Sequence, residues 1–277
     1  MRSVKRSRCS FRGMAKVEQE LSTATQDGGA DEADVLTRYT GPPIPEPRSQ
    51  GHFLVRFWRS AVGKKWVMAI TGFMLLGFVL AHMVGNLKVF LGREHINVYG
   101  EWLRNLGEPA LPRTVLLWGM RLGLIAAFFG HIVAAYQLTR MNQKARPTKY
   151  QSKRDYVAAN FASRTMRWTG IIVGLFVIFH LADLTWGSAN PNFVRGDPYD
   201  NLFNSFDRVP VAIIYIVCML ALGFHIFHGA WSMFQSLGLN NPRWNLWRRW
   251  FAIGFAVVVT VGNVSMPLLI TTGVVTR

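Results

Sequence analysis

The chain has 277 residues, half of them hydrophobic, and a formal net charge of +16. Its apolar residues fall in long runs, which excludes an ordinary soluble domain, and the runs lack the ten-residue alternation of a transmembrane barrel. Cys9 and Cys218 are the only cysteines, too few and too far apart in sequence for a disulfide framework.

Residues 1–50 are polar, with a Gly/Pro-rich run (GPPIPEP) at 41–47. They are expected to be disordered or peripheral. No apolar stretch follows Arg2, Lys5 and Arg6, so no cleavable signal is expected, and Met14 is an alternative start. Residues 51–277 form the membrane domain. Within it, residues 52–59 (HFLVRFWR) mix aromatic, apolar and basic side chains and are expected to lie in the interface. Five stretches then reach the length of about 20 residues that a bilayer crossing needs: residues 66–90, 115–139, 166–186, 209–234 and 251–271, the last containing Pro267. A short surface helix is expected at 98–111, and Asn-Pro and Asp-Pro turns make the third connection read as an external loop. Trp58, Trp66, Trp168, Trp186, Trp244, Trp247 and Trp250 sit at span ends as an aromatic belt. No internal repeat is evident. The fold class is all-α: an integral membrane bundle of five transmembrane helices.

The positive charge has a topological reading. The segment from Arg140 to Arg167 holds eight Lys/Arg against Asp155 alone, and the 239–250 connection holds Arg243, Arg248 and Arg249 with no acid. In the other two connections, arginines are matched by acids: Arg93, Arg104 and Arg113 by Glu94, Glu101 and Glu108, and Arg195 and Arg208 by Asp197, Asp200 and Asp207. The positive-inside rule then places the N-terminus in the cytoplasm and the C-terminus outside. The basic loops serve orientation, anionic lipid and a docked protein rather than nucleic acid.

Four histidines, His82, His131, His180 and His225, occur one per span in four successive spans. Imidazoles in lipid-spanning helices are expensive and demand partners. At 1.5 Å per residue, His82 and His180 lie roughly 24 and 21 Å from the inner ends of their spans, and His131 and His225 roughly 12 and 14 Å. The spacing therefore predicts an outer pair, His82 with His180, and an inner pair, His131 with His225. Facing imidazoles from two helices are what bis-histidine haem requires. His228, one turn inward of His225, is an alternative ligand or a partner for a propionate or quinone. Arg121 is the buried candidate for a haem propionate, or else pairs with Asp183, the one intramembrane carboxylate. Glycines near the histidines (Gly77, Gly85, Gly130, Gly174, Gly223, Gly229) either make room for a flat macrocycle or serve helix packing.

Several stretches carry a family resemblance: RSAVGKK at 59–65 with MAITG at 68–72, HMVGNL at 82–87, FHL at 179–181 with Asp183, and FH at 224–225 running to HG at 228–229. With these the chain resembles the cytochrome b membrane-anchor subunit of succinate dehydrogenase, in the five-helix di-haem family shared with fumarate reductases. The resemblance spans about residues 52–275. It implies a respiratory complex II anchor in the inner (plasma) membrane of a prokaryote. The implied partners are a flavoprotein subunit and an iron–sulfur subunit on the cytoplasmic side, and higher oligomers of that complex are compatible with it. It also implies two b haems and quinone as substrate, with His131 and His225 holding the haem nearer the iron–sulfur subunit and His82 and His180 the farther one. No flavin or cysteine-rich cluster motif occurs in this chain, so succinate chemistry would lie on the partners.

One alternative replaces a haem with a [2Fe-2S] centre held by histidines plus Cys218 and Asp183; against it, Cys218 also reads as a buried inert thiol. For the quinone, Ser60, Lys64 and Lys65, with His228, are inner-side candidates, and Tyr99 and Trp102 outer-side ones. Competing functions are a cytochrome b of another respiratory complex and a histidine-dependent proton-relay transporter. The second would need intramembrane carboxylates and matching halves, whereas the only carboxylate expected within the spans is Asp183, with the outer Arg121 as a cation, and no halves repeat.

Overall fold

The computed structural model describes residues 52–145 and 161–277. The first 50 residues, and most of the basic segment after Arg140, lie outside the described residues. Every regular element described is helical. In chain order they are α1 (Phe53–Arg59), α2 (Ala61–Asn86), α3 (Arg93–Asn105), α4 (Val115–Ala145), α5 (Phe161–Leu181), α6 (Pro198–Phe206), α7 (Val209–Ser236) and α8 (Pro242–Thr271). A 3-10 turn, Leu87–Leu91, prolongs α2, and a π turn, Ala182–Trp186, prolongs α5.

Five helices are long and apolar enough to cross a membrane: Ala61–Leu91, Val115–Ala145, Thr165–Trp186, Val209–Ser236 and Pro242–Thr271. No more than 28% of the most apolar stretch of any of them is buried within the chain. The remaining apolar surface therefore needs lipid or partner helices to cover it. The helix α7 is central, touching α2, α5 and α8, while α4 packs on α2. Two glycines let α8 approach closely. A Cβ at Gly223 would collide with Thr260, and one at Gly262 with Met83.

Local chemistry sets the helix starts. The Ser60 side chain accepts from the Gly63 amide (2.8 Å) to cap α2, and Asn241 accepts from the Arg243 amide (3.0 Å) to cap α8, with Pro242 in its first turn. The fifth span consequently begins at Pro242, not at 251, and Arg248, expected in a connection, is only 2% exposed inside the bundle. The surface helix starts at Arg93, earlier than expected, after Gly92 turns the chain with φ 102°.

The third connection is more ordered than its proline turns imply. Asp197 caps a helix, α6, with Pro198 in its first turn, and Tyr199, Leu202, Phe203 and Phe206 are buried against Phe176, Tyr215 and Met266. Together α3 and α6 close one end of the bundle, here the capped face. Arg93 pairs with Asp197 and Asp200, and Asn97 donates to Asp197 (2.9 Å) and accepts from the Tyr199 amide (3.2 Å). Burial alone would raise the Asp197 carboxyl. The Asp200 amide, Asn97 and the Arg93 charge outweigh it and hold the group below the usual carboxylate range. The opposite end, where α2, α5 and α8 begin, carries Lys64, Lys65, Arg243 and Arg249 and is the basic face.

Candidate functional site

The four histidines converge in twos. The rings of His82 on α2 and His180 on α5 are 5.8 Å apart between centroids, and those of His131 on α4 and His225 on α7 are 6.4 Å apart. Two imidazoles bonding one metal ion at about 2 Å on each side place their ring centres roughly 6 Å apart. Both pairs have that spacing. They lie at two levels, because His131 meets α2 at Met68–Gly72, whereas His82 is ten residues, or about 15 Å, further along that helix.

Hydrogen bonds fix which nitrogen of each ring is the acceptor. His131 Nδ1 is 3.1 Å from the Met68 carbonyl and 3.2 Å from Thr71 Oγ1. A carbonyl only accepts, so Nδ1 carries the proton and Nε2 the lone pair. At His225, Nδ1 is 3.4 Å from Thr169 Oγ1, whose own proton goes to carbonyls of its helix, so Nδ1 again donates, and the ring also bonds the Met166 backbone. At the other level, Tyr215 donates to Asp183 Oδ2 (3.0 Å) and so accepts from His180 Nδ1 (3.3 Å). His82 accepts directly at Nε2 from the Asn86 amide (3.1 Å). In His131, His225 and His180 this leaves Nε2 as the lone-pair nitrogen, whereas in His82 the Nε2 lone pair is taken up by the Asn86 amide. Outer partners of this kind are what orient histidine ligands.

Asp183 is fully buried in the π turn that ends α5. An extra residue in the turn swings its carboxylate inward, a common feature of functional sites. One of its oxygens pairs with Arg208, and the other accepts from Ser205 and Tyr215. The alternative pairing with Arg121 is therefore not made. Arg121 is exposed and lies over the Trp118 ring at 5.0 Å. Nor is the four-donor iron–sulfur arrangement assembled. Among the described residues no three His, Cys, Asp or Glu side chains gather as a metal site. Cys218 packs at the edge of an apolar cluster with Phe179 and Leu222.

The remaining candidates separate as follows. His228 joins neither ring pair, and its buried Nδ1 has no hydrogen-bond partner. Ser60 is used as a helix cap, and the buried Lys64 donates to the Trp58 carbonyl. Lys65 instead lines a cavity of about 440 Å³ at the basic face, with Val62, Trp66, Ser232, Gln235, Ser236, Leu237 and Gly238. Tyr99 and Trp102 line a second cavity, of about 330 Å³, at the capped face. Of the glycines near the histidines, Gly85 and Gly223 serve packing, against Tyr99 and Thr260. Gly77 and Gly174 face open space.

Sequence reasoning missed a repeat. One interval separates Met68 from Met166, Thr71 from Thr169, Gly72 from Gly170 and His82 from His180; a second separates Arg121 from Tyr215 and His131 from His225. The signal was the pattern Met-x-x-Thr-Gly at a fixed distance before a histidine.

Fold and site together define a multi-pass helical membrane protein with two intramembrane histidine couples. Residues 139–262, from the last turns of α4 into α8, match the family model of the succinate dehydrogenase/fumarate reductase transmembrane subunit. Over that stretch, a little under half of the chain, it is similar to the transmembrane subunits of that enzyme complex. It contains His180 and His225, while His82 and His131 precede it. No curated protein and no solved structure matches the chain.

Proposed function

We propose that this anchor passes electrons from an iron–sulfur subunit, docked on the basic face, through two bis-imidazole centres to quinone. The observation that carries the reading is the pairing of four rings, each with Nε2 as its acceptor nitrogen, at a spacing that would let two imidazoles hold one metal ion. His131 with His225 would hold the centre nearer the partner, and His82 with His180 the farther one. A b-type haem at each couple would supply one-electron oxidation and reduction. The residues of this chain orient the ligands, exclude water and provide the apolar walls. Arg121, exposed beside Trp118 at the capped-face end of α4, is suited to a propionate.

Quinone reduction takes two electrons and two protons. The basic-face cavity is the site favoured for it, because Lys65, Ser232 and Gln235 offer donors to the two quinone oxygens and Trp66 offers an aromatic wall. Ser232 lies about 10 Å along α7 from His225, which keeps the cavity near the closer couple. The basic face would be cytoplasmic, in a prokaryotic plasma membrane, with the flavoprotein subunit bound beyond the iron–sulfur subunit.

The test is a redox difference spectrum with haem and iron counts on the purified complex. His131→Ala and His225→Ala should remove one and the same centre, and His82→Ala the other. Loss of both centres in every variant, or a wild-type complex with neither, would sink the reading.

A further inference from the structure

The two imidazoles nearer the basic face are held by one device used twice. On α2, the Met68 carbonyl and Thr71 Oγ1 both face His131 Nδ1, at 3.1 and 3.2 Å. On α5, Thr169 Oγ1 lies 3.4 Å from His225 Nδ1, and the ring also bonds the Met166 backbone. Each threonine hydroxyl gives its single proton to its own helix: Thr71 to the Val67 carbonyl (2.7 Å) and Thr169 to the Thr165 or Met166 carbonyl (3.2 and 3.1 Å). What it turns toward the ring is a lone pair. The next residue is glycine in both cases. A Cβ at Gly72 would lie 3.4 Å from His131 Cε1, and one at Gly170 3.3 Å from His225 Cε1. The ring edge thus rests on bare backbone, with a hydroxyl on one side.

A threonine inside a helix commonly bonds back to its own carbonyls, and a ring can pack there without consequence. Duplication argues for more. The interval that carries Thr71-Gly72 to Thr169-Gly170 also carries His82 to His180, so ledge and ligand repeat together.

We propose that Thr71 and Thr169 are positioning residues for His131 and His225. They are equivalent members of two related hairpins, α2 with α4 and α5 with α7, and they lock ring plane and tautomer so that both Nε2 lone pairs face one metal ion. The proposal rests on bis-imidazole ligation at this level. Neither threonine touches the metal or the quinone.

The test uses the purified complex with Thr71→Val, Thr169→Val and the rescue variants Thr71→Ser and Thr169→Ser. Midpoint potential and low-temperature band shape are read for each centre separately. Both valine variants should shift the potential of the same centre in the same direction and weaken retention of its metal group by about tenfold, the usual scale for outer partners of a ligand. The other centre should not move, and serine should restore both readings. Gly72→Ala and Gly170→Ala form a second arm, usable if a valine variant fails to assemble. Each adds a Cβ against the ring edge and should disturb that same centre. Unmoved potentials, effects on different centres, or serine behaving like valine would overturn the proposal. His131→Ala separates the two ideas. If it removes a centre that Thr71→Val leaves unchanged, only the positioning role falls; if it removes none, the ligation reading falls with it.

Discussion

The two histidine couples share a ring spacing but not a means of support. Near the basic face, both rings lean on neutral groups, a carbonyl and a hydroxyl, supplied by matching positions of two helices. Near the capped face the partners are unrelated. His82 meets an amide of its own helix, whereas His180 is tied through Tyr215 to a buried carboxylate and its arginine. The same ring spacing is thus reached once by duplication and once by a charged network. His180 gives its Nδ1 proton to the Tyr215 hydroxyl, which itself donates to Asp183, so the carboxylate acts on that ring through Tyr215, whereas His82 meets a neutral amide.

The largest effect that separates the couples should come from Arg208→Leu. It leaves the Asp183 carboxylate buried with only neutral donors, and removing one partner of such a pair typically costs 3–5 kcal/mol. Arg208 is 29% exposed at its side chain, so about 3 kcal/mol is expected. Thermal unfolding of the complex in detergent should fall accordingly, with the capped-face centre lost before the other. Equal loss of both centres would erase the distinction. Tyr215→Phe is expected to cost less, about 1–2 kcal/mol, because Ser205 and Arg208 still satisfy Asp183. Its sharper signature is a potential shift at the centre that His180→Ala removes, with no change at its neighbour.

The smallest effect concerns the cap itself. The Asp197 carboxyl is held below its ordinary value, so its contribution is fully present above about pH 4 and disappears as the pH falls through that lowered value. Because Arg93 is half exposed, solvent screens the clamp and its contribution is small. Hydrogen exchange in α6 should rise on acidification in the wild type and be already raised in Asp197→Asn. An exchange rate in α6 that ignores pH would show that apolar packing alone holds the cap.

Much of this was legible in the sequence because helix geometry is rigid. Rise per residue turns the positions of His82, His131, His180 and His225 into depths, and depths into couples. Hydrophobic run length gave five spans for the same reason. The misses fall where backbone direction depends on neighbours. A pair between Asp183 and Arg121 was one of two readings, but the π turn directs Asp183 to Arg208, whose charge read as part of a balanced loop. Pro198 and Asp197 signalled a turn, yet the same two residues begin a helix once Leu202 and Phe206 have a core to enter. The repeat escaped because few residues are identical and the two helices of each hairpin keep different intervals.

Each threonine ledge and the ring it holds belong to one hairpin. An imidazole can therefore be set in its final tautomer while that hairpin is still alone in the bilayer, as its two helices leave the insertion machinery. Docking of the hairpins then brings two prepared rings face to face. Under the proposed haem ligation, the order of biogenesis is protein halves first and closure around the prosthetic group second.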